Sequence, residues 1–355
     1  MPAPARIGDY AGPEIWAYSA YWMRDAWRLY DLAAFRRILF FDLIAGNDGA
    51  IADRHGWPEQ WEELRRRAAE ARVPVDPVVS VIGKSAFSAI FANRDARTRL
   101  ANEIATVARD SGGVHLDVEV FEAVRAEEVL AFRAFLRDLR ALLDAPPRKT
   151  LTAFVATASG LYGPEELRHF DAVVVQGYDV HWREGPTAGP VAALDAPSPA
   201  AWRPAAETLV RQGVPPARIV FSTPLYGYEW PTVSAEARAA TRGPGEIVTF
   251  APLPPSLLPD LRVSALARAT EHGLRREADT RTPWYAFNDG SGWRQGWYDD
   301  AASLAPRLDF VRAGGYRGVA LFVLGYDGGL VLEAMQSRFR EPGAPAAASS
   351  PPGAR

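Results

Sequence analysis

Apolar, β-forming runs recur along the whole of this chain, and stretches with helical spacing separate most of them. The clearest run is Arg37 to Ala45 (RILFFDLIA), which is nearly continuous instead of alternating. That is the pattern of a strand covered on both faces of a parallel sheet. Glu14 to Trp22, Val73 to Ile82, Gly112 to Glu119, Lys149 to Ala158, Phe170 to Tyr178, Arg218 to Tyr226 and Gly318 to Gly325 read as further strands. Pro74 and Pro77 push the start of the third toward an edge or a bulge. Between them, Pro58 to Ala71 has Pro first, acids early and arginines late, which suits a helix and its macrodipole. Asp95 to Asp110, Pro164 to His169, Pro199 to Gln212 and Leu330 to Phe339 read as helices too. Ala126 to Leu143 is the clearest, with Val129, Leu130, Phe132, Phe135, Leu136, Leu139 and Leu142 as its expected buried side. Eight strands, most followed by helices, predict an α/β chain closed into a (β/α)8 TIM barrel. A doubly wound open sheet is the alternative, but no glycine-rich dinucleotide fingerprint follows the first strand.

The interval from Pro231 to Arg317 is too long for a simple crossover, so the β7–β8 connection is elaborated. Residues 231–300 are expected to form an insertion or small subdomain at the barrel mouth, within a barrel domain spanning 1–340. The insertion holds a helical segment near Ser264 to Leu274, with Ser264 as N-cap, and an aromatic stretch from Trp284 to Tyr298. Glu341 to Arg355 is Pro/Ala/Ser/Gly-rich and expected to be disordered.

Composition removes several functional classes. A net charge of -3 gives no reason to expect nucleic acid or an anionic membrane as partner. The chain has no Cys, and its five histidines show no metal-ligand spacing. No cofactor or metal is expected, and no run reaches the length of a membrane span. Met1 to Gly12 has no basic segment followed by an apolar core, so no signal peptide is expected. A monomer is expected.

The stretch with most chemistry is Gly112-Gly113-Val114-His115-Leu116-Asp117-Val118-Glu119. Along a strand, His115, Asp117 and Glu119 share one face, and Val114, Leu116 and Val118 the other. A column of two carboxylates and an imidazole is kept where it is paired, solvated or used. A wet edge strand is the plain alternative. In a barrel, however, chemistry sits at the carboxyl ends of the strands. Asp117 and Glu119 close strand four, Tyr178 and Asp179 strand six, Tyr226 to Trp230 leave strand seven, and Phe322 to Asp327 close strand eight.

With those residues in that order, the chain resembles the family 18 glycoside hydrolases, the chitinase-like group. The family's strand-four pattern D-G-x-D-x-D-x-E is met by residues 112–119, its Tyr-Asp pair by Tyr178-Asp179 in QGYDVHW, and its strand-seven exit by PLYGYEW at 224–230. Trp297 to Ser303, Gly318 and Leu324-Gly325-Tyr326-Asp327 resemble the end of the family domain, especially in bacterial spore- and wall-associated members. The resemblance runs from about Ile15 to Phe339 and implies substrate-assisted, retaining hydrolysis of a β-1,4 bond next to N-acetylglucosamine. It implies that Glu119 protonates the leaving oxygen and later activates water. Asp117 would orient the acetamido group, and the Tyr178 hydroxyl would bind its carbonyl. Asp179, His115, Phe322, Tyr226, Trp230 and Tyr18 would line the substrate site. The implied partner is an N-acetylglucosamine-containing glycan such as chitin or a peptidoglycan-like polymer, and the implied location is extracellular or in the cell envelope.

Two departures from the family pattern matter. His115 stands where the family has an Asp, and protonated it would hold Asp117 as an anion and weaken or pH-shift catalysis. Phe322 stands where the aromatic floor is usually Trp, and offers less area. Gly112 for the first Asp removes a structural hydrogen-bonding group. The altered motif leaves a second reading, a chitinase-like lectin or scaffold that binds glycans without turnover, against which retention of Glu119 argues. Trp182, Trp230, Trp284 and Trp293 suit packing and sugar stacking equally.

Overall fold

A computed structural model of the chain describes residues 12–252 and 263–340. The expected tail at 341–355 lies outside the described residues. Eight parallel strands form the centre: β1 (Glu14–Ala20), β2 (Arg37–Ala45), β3 (Val75–Ile82), β4 (Gly113–Glu119), β5 (Thr150–Val155), β6 (Ala172–Val175), β7 (Ile219–Pro224) and β8 (Gly318–Phe322). Each pairs with its sequence neighbour, and β1 pairs in parallel with both β2 and β8, which closes the sheet into a TIM barrel. The open-sheet alternative is thereby excluded.

Closure explains the continuous apolar runs. Inward side chains fill the barrel and outward ones lie under helices, so Leu39, Phe40 and Leu43 of β2 and all of β6 and β7 are buried. The expected irregularity near Pro77 is present: Pro77 pairs with Phe40, and the β2–β3 register shifts before Leu43. Gly113 is a close approach of backbone, because a Cβ there would stand 2.0 Å from Thr150 Oγ1. Gly112 has a different cause. A side chain would begin 3.0 Å from Pro74 Cβ and 3.3 Å from Asp76 Oδ1, so an Asp there would confront a second carboxylate.

The helix Ala126–Asp144 buries Phe132, Phe135, Leu136, Leu139 and Leu143, a stripe of spacing three and four. Leu130 and Leu142, expected in that stripe, are exposed. Leu130 lies two residues before Phe132, about 200° around the helix, and Leu143 takes the buried position beside Leu142. A further helix, Ala301–Ala313, was not anticipated because Pro306 lies inside it. It is started by Asp300, whose carboxylate accepts from the Ala302 and Ser303 N–H groups at 3.0 and 2.9 Å.

Between β7 and β8 stands a second, five-stranded antiparallel sheet. Its order is Glu246–Thr249, Tyr226–Thr232, Trp293–Trp297, Pro283–Asn288 and Arg275–Arg276. Val248, Ala265, Ala269, Tyr285 and Tyr298 make its own small core, and Ser264 caps the helix Ala265–His272 through the Ala267 N–H. Trp284 and Trp297 are buried and stacked, their ring centres 5.1 Å apart, so both serve as packing.

Phe132 is buried among the rings of Phe87, Phe91, Phe135 and Tyr162. Phe132→Ala is expected to cost about 3–5 kcal/mol, and Leu130→Ala within about 0.5 kcal/mol of nothing. Urea unfolding of the two variants measures the difference.

Candidate active site

The β4 column is positioned by register. Ser80 of β3 pairs with Asp117, Ile82 with Glu119, and Phe154 of β5 flanks Asp117 on the other side. Asp117 is buried, and Ser80 Oγ donates to its Oδ2 at 3.3 Å. Oδ1 receives no donor among the described residues. Glu119 follows two residues later on the same face of β4, close enough for its charge to act on Asp117. Burial, then Glu119 and Asp42, hold the Asp117 pKa well above the usual carboxylate range. Burial, then the charge of Asp179, raises that of Glu119, which is partly open at the mouth.

Asp42 and Ser80 were missed in the sequence. Asp42 is buried, also bonded to Ser80, and pushed up in pKa by burial. The signal was present, a single acid inside the otherwise apolar RILFFDLIA, and it was passed over as part of a buried strand.

Around the acids lies a group of rings from several strand ends. Tyr178 leaves β6 and packs on Phe322 at 5.8 Å and on Tyr226 at 6.1 Å between ring centres. Phe322 also meets Tyr18 at 5.3 Å and Phe41 at 5.6 Å, and is partly exposed. The Tyr178 hydroxyl makes no hydrogen bond with any described residue, and Glu119, Asp179, Tyr18 and Asp117 are near enough to raise its pKa further above the value set by burial. Asp179 has a left-handed backbone, φ 61°, and accepts from the hydroxyls of Tyr226 at 3.2 Å and Tyr228 at 3.4 Å. Burial still lifts its pKa to about 6.

Thus Glu119, Asp117, Tyr178, Asp179, Tyr226, Phe322 and Tyr18 are brought into one contiguous group. Two expected residues are not on a ligand surface. Trp230 is fully buried, and its indole donates to the Arg183 carbonyl at 3.0 Å, so it braces the loop after β6. Trp182 on that loop is the exposed ring instead. His115 is also fully buried, between Tyr18 (Nε2 to hydroxyl 3.1 Å) and Thr152 (Nδ1 to Oγ1 2.8 Å). The expected His115–Asp117 ion pair is absent. Burial, with Arg37 adding to it, lowers the imidazole pKa to about 3, so His115 is neutral and props Tyr18. Among the described residues, no group of three or more His, Asp or Glu is placed to hold a metal.

A family model described as glycosyl hydrolases family 18 matches residues 30–327. The chain belongs to that family. Among relatives, the cortical fragment-lytic enzyme of Bacillus anthracis is 23% identical over 81% of this chain and 64% of its own length. The putative sporulation-specific glycosylase YdhD of Bacillus subtilis is 28% identical over 62% of this chain and 49% of its own. The chain therefore spans about half to two-thirds of these relatives. A chitinase structure from Chromobacterium violaceum superposes with a TM-score of 0.74 at 21% identity, covering 93% of this chain and 100% of that one. The family 18 barrel is thus shared where sequence identity is low.

A buried neutral imidazole has a sign that can be measured. Its folded pKa lies below the unfolded value, so the unfolded chain binds the extra proton between about pH 3 and 6.5. Its contribution is complete above pH 6.5 and is lost as pH falls through that window. His115→Gln should make stability less steep over this range by at most about 1.4 kcal/mol per pH unit. Urea midpoints from pH 7 to 4 test this.

Proposed function

We propose that the chain is a glycosidase that cleaves β-1,4 bonds next to N-acetylglucosamine in a cell-envelope glycan, by a substrate-assisted retaining route. The observation that carries this reading is the placement of Asp117 and Glu119 on one face of β4, with Glu119 partly open at the mouth and an unengaged phenol beside it. Glu119, its pKa raised by burial and by Asp179, gives its proton to the leaving oxygen. Asp117 accepts the acetamido N–H as that group turns its oxygen toward the anomeric carbon, and Tyr178 donates to the oxygen. Glu119, now an anion, takes a proton from the water that opens the cyclic intermediate. Phe322 and Tyr226 shape the floor beneath the reacting sugar. The names of the sporulation-associated relatives support an envelope glycan and a site of action outside the cytoplasm. No described helix is long and apolar enough to cross a membrane.

Glu119→Gln removes the transferable proton and keeps the shape. It should lower turnover of labelled chito-oligosaccharides by about 10²–10⁴-fold while binding persists. Binding by both proteins with cleavage by neither would replace the hydrolase with a glycan-binding protein.

Asp179 supplies the anion that raises Glu119. In Asp179→Asn the Glu119 pKa falls, so the alkaline limb of the kcat/KM profile should move to lower pH. A limb that stays in place, or moves up, would remove Asp179 from the tuning of the acid.

A further inference from the structure

A cleft of about 680 Å³ opens between the segments that follow β1 and β2, and neither Glu119 nor Tyr178 lines it. Tyr21, His55 and Trp61 give it aromatic walls, and Arg24, Arg28 and Glu63 its charge. A series of ring contacts links the cleft to the acid site. Phe322 packs on Phe41, Phe41 on Trp22 at 5.7 Å, and Trp22 on Tyr21 at 5.1 Å. Tyr21 stacks on His55 with ring centres 3.4 Å apart. His55 Nδ1 in turn meets the Asp42 carbonyl at 2.8 Å, and Asp42 shares Ser80 with Asp117.

The charges in this cleft are not equivalent. Arg28 is occupied: Glu63 holds its guanidinium at two nitrogens, Asp25 stands 3.6 Å away, and the group lies 4.6 Å above the Trp27 ring. Arg24 is exposed, and among the described residues it makes no ion pair or side-chain hydrogen bond. Its backbone, at φ 45° and ψ -113°, breaks the 3₁₀ segment Tyr21–Leu29. His55, which also lines the cleft, has φ 45° as well.

We propose that this cleft receives the carboxylate-bearing substituent of the amino sugar next to the one held at Glu119, with Arg24 binding the carboxylate. The inference rests on the hydrolase reading above and narrows its substrate. A homopolymer of N-acetylglucosamine carries only hydroxyl and acetamido groups, so it has no anion to place in a side cleft. A peptidoglycan-type glycan carries a lactyl acid on every second sugar. Its carboxylate matches a guanidinium fork, and its methyl group matches aromatic walls.

The test measures binding to the full chain carrying Glu119→Gln, alone and with Arg24→Gln or Arg24→Lys. The probes are an alternating N-acetylglucosamine–N-acetylmuramic acid tetrasaccharide, its methyl ester, and chitotetraose. The parent should prefer the free acid to the ester, and this preference should shrink as salt is raised. Arg24→Gln should weaken the free acid about tenfold and leave the ester unchanged, while Arg24→Lys retains part of the preference. Equal binding of acid and ester by the parent overturns the proposal, as does an equal loss for all three glycans in Arg24→Gln. An Arg24-dependent preference in a chain that cleaves no glycan keeps the cleft and removes the hydrolase. Cleavage of chitotetraose with no preference for the acid does the reverse.

Discussion

Two carboxyl groups on one face at the end of β4 set the terms for the rest of this site. Moving a carboxylate out of water is costly, and a second one nearby adds repulsion, so both pKa values are raised. Each unit by which a pKa is raised represents about 1.4 kcal/mol imposed by the surroundings. A closed barrel can impose this because strand register fixes both backbones and neighbouring strands exclude water. Ser80 then satisfies one oxygen of Asp117 and leaves the other without a donor among the described residues.

The histidine in the column responds to the same burial in the opposite direction. An acid raised in pKa and a base lowered in pKa both reach the uncharged form, so the barrel axis carries little net charge from Tyr18 to Asp117. His115 supplies neither charge nor proton to Asp117. With Nδ1 donating to Thr152 and Nε2 accepting from Tyr18, its hydrogen-bonding capacity is spent within the barrel.

What could be read from the sequence follows from what each signal depends on. The strands were legible because burial on both faces writes an apolar run into the chain, and the β4 column was legible because period 2 needs no knowledge of neighbours. The exposure of Leu130 was not, since it depends on which neighbouring helix meets which 100° of surface. The helix Ala301–Ala313 was hidden by Pro306, a residue that argues locally against a helix, while the Asp300 cap at its start went unused. Asp42 and Ser80 were hidden by their company: each lies among apolar neighbours in a mostly apolar strand, and only pairing across β2, β3 and β4 turns them toward Asp117. Trp230 failed differently. Its motif position was matched, but a motif does not say which side of the strand the ring takes, and here it turns to the Arg183 carbonyl.

The small antiparallel sheet bears on the chemistry through one strand. Tyr226 and Tyr228 belong to Tyr226–Thr232, the strand that runs straight on from the β7 exit into that sheet, and their hydroxyls are the partners of Asp179. Successive side chains alternate on a strand, so residues two apart reach the same carboxylate only while the strand stays extended. Pairing on both sides, with Glu246–Thr249 and Trp293–Trp297, holds it so. Asp179 in turn raises the pKa of Glu119 through its charge. Loosening the inserted sheet would therefore release Asp179 from its phenols, raise its own pKa and remove part of the field that keeps Glu119 protonated. On this argument the insertion tunes the acid, although no described side chain at 231–297 hydrogen-bonds to it.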